Sequence, residues 1–364
     1  MSQLTSLITR QLDSMQKIPC NRKNFPYYTE EDRWISIGES GQDDWVAGFW
    51  AGLLWMTVET KEARKDTAIS VTNEIRARSD RNFNTGFRIL YSHGAAEQYT
   101  EKTNSRGHLD MAKETLLNCY RSRAGLICHG PDAGPWISAT DSMMNLLLLL
   151  WHLRRENQDP YLKNIVIKHI ETLLKLFLRS DGGIHHLAKL NTDDGTIAGF
   201  QNPQGVEGGC WSRGLAWSVY SLLLCGVIFD RREWIESAER LLCYHDNYSR
   251  NGVPPYDYQL YPNSKPPTDT SATAILVSGM LLYDTLSGQP EFRQRAHKYL
   301  DHLLTHYIRN KPGLLGGASY HVPATRGTEG ATIWGDFYLL EAIWLRERET
   351  FPPHLRWLEP LQTD

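Results

Sequence analysis

The amino-acid sequence predicts an all-α fold, an (α/α)6 barrel or six-hairpin toroid of about twelve helices. Two observations predict it. Amphipathic helical segments alternate along the chain with segments that are apolar nearly all round, about six of each kind. The linkers between them are short, and no period-two strand series competes with them. A helix apolar on every side is buried on every side. Sequential helices joined by short linkers become neighbours. Two concentric rings satisfy both conditions, with apolar helices inside and amphipathic ones outside.

Taken in order, Leu4–Met15 reads as an amphipathic helix and GFWAGLLWM (48–56) as a buried one. Lys61–Arg78 is amphipathic, and GFRILYSHGAA (86–96) is buried with polar marks. His108–Tyr120 precedes MMNLLLLLW (143–151). Asp159-Pro160 opens the next outer helix, with Asp as cap and Pro at the first helical position. Leu162, Ile165, Ile170, Leu173 and Phe177 follow at helical spacing, and Gly182-Gly183 closes the segment. GLAWSVYSLLLCGVIF (214–229), Arg232–Tyr244, ATAILVSGMLLY (272–283), Pro290–Ile308 and TIWGDFYLLEAIWL (332–345) complete the alternation. The Pro/Gly-rich stretches 251–270 and 309–330 read as loops before buried helices, so one domain over 1–364 is expected. An open helical solenoid is the alternative. Irregular repeat lengths and the absence of a recurring consensus weigh against it.

Composition narrows the function. A net charge of -3 provides no basic field for nucleic acid or an anionic membrane. The longest apolar block, Leu146–Trp151, is too short to span a bilayer. Six cysteines without a C-x-x-C pair suggest reduced thiols rather than a zinc site or a disulfide scaffold. The N-terminal stretch has no signal-type apolar run, so a cytoplasmic protein is expected; a monomer is also expected. Twelve Trp and seventeen Tyr exceed the usual need of a core, and such rings suit sugar faces.

The residue types able to carry chemistry gather at the starts of the apolar helices. These stretches are DDWVAGFW (43–50), FNTGF (83–87), SATDSMMN (138–145), CWSRGLAW (210–217), TDTSAT (268–273) and TIWGDFY (332–338). In a toroid these starts share one rim. Asp141 is the prime candidate. A carboxylate opening an apolar helix is partly desolvated, which raises its pKa toward a general-acid value. Asp is also a preferred helix cap, and that reading applies to Asp141, Asp269 and Asp336 alike. Arg213 either binds a substrate carboxylate or pairs with a structural acid. His185-His186 follows a Gly pair and offers donors to a hydroxyl. His302 and His306 are one helical turn apart without the Glu of a zinc protease, and read as a packing pair. GLLGGAS (313–319) follows no strand, which argues against a dinucleotide site. No G-x-S-x-G elbow is present.

These clusters resemble the unsaturated glucuronyl hydrolases, glycoside hydrolase family 88, over nearly the whole chain. The resemblance rests on DDW-x-x-GFW-x-G-x-LW from Asp43, D-x-x-x-N-L-x-LLLW from Asp141 and W-x-RG-x-AW from Trp211. It rests further on DTSA-x-A from Asp269 and on SYHV…TIWGD-x-Y-x-LEA from Ser319. The unsaturated rhamnogalacturonyl hydrolases of family 105 share the architecture. The resemblance implies an oligosaccharide substrate with a 4,5-unsaturated uronic acid at its non-reducing end. It implies no metal or cofactor. Asp141 falls on the family's acid/base aspartate, which protonates C4 of the enol ether and assists water addition at C5. Trp45, His186, Gln204, Trp211, Arg213 and Trp217 match substrate-cleft positions, with Tyr320 and Trp334 added from the last two motifs. A second catalytic aspartate is expected in an H-D-x-GF stretch. Here Phe83 and Asn84 stand in its place. An amide cannot share a proton as a carboxylate does. Either the residue was substituted to trap a substrate, or the chain is a divergent member that acts on a different uronide or a rhamnogalacturonan-type disaccharide, or binds sugar without turnover.

Overall fold

The computed structural model describes residues 3–15, 17–131, 133–155, 159–260, 265–348 and 350–359, with side chains from residue 7 onward. Twelve long helices alternate between the rings as the apolar pattern requires. The outer ones are α1 (Gln3–Met15), α4 (Lys65–Glu74), α6 (Ser105–Asn118), α8 (Pro160–Phe177), α10 (Arg232–Asn247) and α12 (Arg293–His306). A single turn, α2 (Ile37–Ser40), lies between the first two. The inner ones are α3 (Ala47–Val58), α5 (Thr85–Ile89, running on through a π turn at Leu90–Gly94), α7 (Asp141–Arg155), α9 (Ser212–Ile228), α11 (Thr270–Ser287) and α13 (Ile333–Glu347). Contacts run α3–α5–α7–α9–α11–α13 and back to α3, so the inner ring closes. The fold is an (α/α)6 barrel.

Burial follows the sequence pattern. Every residue of α3 is buried, as are Met143–Leu153 and Ala272–Asp284. The outer helices bury one stripe, such as Leu162, Ile165, Ile170, Leu173 and Phe177 of α8. Asp159 caps that helix by accepting from Tyr161 N, with Pro160 in the first turn. The helix ends at Phe177, before the Gly pair, because Leu178 turns out to bridge Ile184. His302 and His306 pack ring against ring, centroids 4.6 Å apart. All six cysteines are free thiols, four of them buried. Among the described residues no helix is long and apolar enough to cross a membrane.

The inner helices approach closely where the sequence supplies glycine. A Cβ on Gly48 would stand 2.0 Å from Phe87 O, and one on Gly86 would stand 2.6 Å from Asn145 Oδ1. These two contacts set the α3–α5 and α5–α7 spacing.

The structure adds short strands that sequence periodicity did not show. β1 (Pro26–Glu30) pairs with β2 (Arg33–Ser36), and β3 (Tyr120–Arg121) with β4 (Leu126–Ile127). β5 (Trp136–Ala139), β6 (Leu187–Leu190) and β7 (Ile197–Gln201) form an antiparallel sheet. Runs of two to five residues are too short for alternation to stand out. They matter because they gather on the rim where the inner helices begin. β5 leads straight into α7, and Tyr28 of β1 bridges Thr332 just before α13.

Candidate active site

The site is assembled by backbone pairing around Asp141. β5 pairs with β6 so that Ala139 lies opposite Leu187, and Thr140 N donates to His186 O. This pairing sets His186 beside the first residue of α7. His186 Nε2 lies 3.5 Å from Asp141 Oδ2, which has no closer partner. The other ring nitrogen, Nδ1, is 3.2 Å from Asn202 Oδ1, and the ring packs on Trp211 at 4.6 Å. Thus only His186 of the histidine pair faces the acid. His185 turns away and stacks on Phe200 at 3.8 Å.

One turn into α7, Asn145 ties the acid to the neighbouring helix. Its Nδ2 donates to Asp141 O at 2.9 Å and to Asn84 Oδ1 at 3.5 Å, while its Oδ1 accepts from Phe87 N at 2.9 Å. Asn84 sits at the N-cap of α5, yet its side chain makes no capping bond. It is half-buried and directed toward Asn145. Phe83 is buried and stacks on His129.

An aromatic wall continues the rim. Trp45 donates Nε1–H to Tyr27 Oη at 2.6 Å and touches Phe87 and Trp334. Tyr320 stacks on Tyr28 and donates its hydroxyl to Gln42. Gln204 is half-buried and accepts from Tyr256 Oη at 3.4 Å. Contacts therefore link all the expected residues into one rim. They run from Asp141 through His186, Trp211, Arg213 and Trp334 to Trp45, then through Phe87 and Asn145 back to Asp141. Trp217 joins through Phe87.

Three expected cleft residues lie behind the solvent-facing wall. Arg213, Trp217 and Trp334 are 1%, 0% and 0% exposed. Of the two readings open for Arg213, the structure has the pairing with an acid. Its NH1 donates to Asp269 Oδ2 at 2.6 Å and to Ser319 O, and its NH2 donates to Tyr320 O. A guanidinium so engaged holds the loop that carries Tyr320 rather than a free anion. Trp334 donates Nε1–H to Ser271 Oγ, which fixes its ring under Arg213.

Electrostatics correct the expectation for Asp141. Burial alone pushes this carboxyl up, as the sequence suggested. The hydrogen-bond and charge interactions with His186, aided by Arg213, outweigh it and hold the group below its ordinary value. Asp269 is the N-cap of α11, as the cap reading required, and burial raises it despite Arg213. Asp336 is not a cap, since Thr332 fills that place. Its carboxylate accepts from Leu314 N and Leu315 N and is pushed up to about 7 by burial. The glycine stretch at 313–319 thus wraps an acid.

Four residues at the site were not singled out from sequence. Asn145 carried a signal, since four residues after Asp141 on a helix it faces the same side. Tyr27, Asn202 and Asp257 carried none, because they reach the rim only through long-range pairing. Asp257 is fully buried and organises the loop 202–210. It accepts from Asn202 Nδ2, Val206 N, Cys210 N and Gln259 N. A cavity of about 440 Å³ opens beside this loop, lined by His185, His186, Phe200, Asn202, Pro203 and Glu207 among others. That volume suits a sugar-sized ligand, and the cavity shares His186 with the acid.

A closed helical toroid carrying an acid–histidine pair and an aromatic rim defines the class, an (α/α)6-barrel protein with a candidate site at the starts of its inner helices. Within it, the chain is similar to proteins named unsaturated glucuronyl hydrolases. It is 29% identical over 348 residues to the unsaturated glucuronyl hydrolase of Bacillus sp. (strain GL1), covering 89% of this chain and 91% of the relative. It is 26% identical over 319 residues to the enzyme of that name from Formosa agariphila, covering 82% and 79%. Among solved structures, an Asp-to-Asn variant of such a hydrolase with dGlcA-Glc-Rha-Glc superposes with a TM-score of 0.85 at 25% identity, covering 95% of this chain and 96% of the other. No family model matches the chain.

Proposed function

We propose that the protein releases a 4,5-unsaturated uronic acid from the non-reducing end of oligosaccharides left by polysaccharide lyases. The observation that carries this reading is Asp141, whose Oδ2 lies 3.5 Å from Nε2 of His186, a residue that also lines the sugar-sized cavity. In the proposed reaction a proton carried by the Asp141–His186 pair passes through Asp141 to C4 of the enol ether. Positive charge develops at C5 and is shared with the ring oxygen. Water adds at C5 and returns its proton to Asp141. The resulting hemiketal opens and expels the remaining sugar. No bond at the anomeric carbon is displaced directly, so a second carboxylate at nucleophile distance is not needed. Asn84 takes part as a hydrogen-bonding amide in this scheme. Trp45, Trp211 and Tyr320 shape the sugar face, with His186 and Gln204 at the loop side.

The test is loss of the ultraviolet absorbance of the conjugated double bond. A panel of unsaturated disaccharides from glycosaminoglycan, xanthan, gellan and pectin sources should contain at least one that is consumed. A panel wholly untouched would reject the reading. Asn84 and Phe83 favour one second reading, a catalytically impaired sugar-binding homologue. Isothermal titration with the same panel separates it, since that protein would bind without turnover. We further propose a cytoplasmic monomer; the six unpaired thiols support the reducing compartment.

A further inference from the structure

We propose that Asp257 and Asn202 are positioning residues that lock the tautomer of His186, so that His186 and Asp141 hold a single proton between them at the cleft. This rests on the reading of Asp141 as the acid.

The lock follows from donors and acceptors. Asn202 Nδ2 donates to Val206 O at 2.8 Å and to Asp257 Oδ2 at 2.7 Å. Both partners are acceptors only, so a flipped amide would set its oxygen against a carbonyl and a carboxylate. Asp257 cannot relax this, because its two oxygens also accept from Val206 N, Cys210 N and Gln259 N. Asn202 Oδ1 is therefore fixed toward His186 Nδ1, and an amide oxygen there demands an N–H. With Nδ1 protonated, neutral His186 presents a lone pair at Nε2. That lone pair lies 3.5 Å from a carboxylate oxygen, and two facing acceptors repel unless a proton lies between them. The pair is then either carboxylic acid with neutral imidazole or carboxylate with imidazolium. In both forms one proton is stored beside the reacting carbon. It leaves to C4 on protonation and is replaced by the proton of the water that adds at C5. This supplies what a second carboxylate would otherwise supply, at a site where Asn84 cannot share a proton.

The ring nitrogens of His186 report the lock directly. In ¹⁵N-labelled protein without substrate, the His186 signals are identified as those lost in His186→Gln. At alkaline pH, where the shared proton has gone, Nδ1 should be the protonated nitrogen and Nε2 the bare one. Free imidazole side chains prefer the opposite tautomer. Asn202→Leu should revert His186 to that preference and lower kcat by about 10-fold or more. A wild-type protein with bare Nδ1 overturns the proposal, and that measurement stands even if Asn202→Leu fails to fold. A folded Asn202→Leu with undiminished kcat overturns it as well. If the wild type shows protonated Nδ1 but consumes no unsaturated disaccharide, the lock is supported and the hydrolase reading fails.

Discussion

At the scale of single residues, the proposed reaction turns on Asp141 and Asn84. Asn145 links Asn84 to the main-chain carbonyl of Asp141, so a carboxylate in place of Asn84 would accept the same Nδ2–H and add a like charge to the cluster around Asp141. Like charge of that kind raises a carboxyl pKa and favours its acid form. Asn84→Asp should therefore raise initial rates on an accepted disaccharide by roughly 10²-fold, the scale of acid–base groups. Asp141→Asn should abolish them. Neutral or harmful Asn84→Asp would mean that the pocket is built around an amide, and full activity in Asp141→Asn would remove the acid assignment. Asp336 gives a pH prediction of definite sign. Its folded pKa is raised to about 7, above the ordinary Asp value, because burial outweighs two backbone N–H bonds. The folded state then holds the proton more tightly than the unfolded chain. Its stabilising contribution is full below the ordinary Asp value and fades as pH rises through about 7. Urea midpoints of wild type should fall from acidic to alkaline conditions relative to Asp336→Asn. Parallel pH profiles for the two proteins would refute the assignment.

At the scale of elements, the rim depends on how closely inner helices pack. Gly48 lets α3 meet the backbone of α5 at Phe87, and Phe87 in turn supports Trp45. A methyl group at Gly48 meets a carbonyl rather than a movable side chain, so the helices must separate. Gly48→Ala should destabilise by about 1–3 kcal/mol or more, as overpacking does. Chemical denaturation checks this, and an unchanged midpoint would show that the helices can shift freely. The helices themselves were legible because their pattern is long: α9 and α11 are each buried over fifteen consecutive residues and α7 over twelve. The strands were not legible, and their pairing is what puts His186 beside Asp141.

At the scale of the whole molecule, the toroid is closed at the end away from the rim by the segment Pro353–Leu358. His354 from that segment meets Glu341 of α13 at 2.6 Å, both fully buried. Tyr220 and Ser278 donate to the other oxygen of Glu341, so residues from α9, α11, α13 and the closing segment meet on one carboxylate. His354→Leu should cost about 1–3 kcal/mol, because it leaves the other buried oxygen of Glu341 without its hydrogen-bond partner. Glu341→Gln in the same background should recover part of the loss. A double-mutant cycle by thermal unfolding measures the coupling, and a value near zero would show that the contact holds nothing together.

The sequence by itself determined the two-ring architecture, the rim at the inner-helix starts and the place of Asp141. These follow from periodicity and from neighbours within one helical turn, both written locally in the chain. Tertiary structure alone decided that Arg213 serves Asp269, that Trp217 and Trp334 support the wall from behind, and that Asp141 is held low rather than raised. Each of those outcomes depends on a partner from 45 to 121 residues away: Asp141 on His186, Arg213 on Asp269, Trp217 on Tyr338, and Trp334 on Ser271. A charge or ring takes its role from what faces it, and pairing between distant segments, which no local pattern encodes, sets the face.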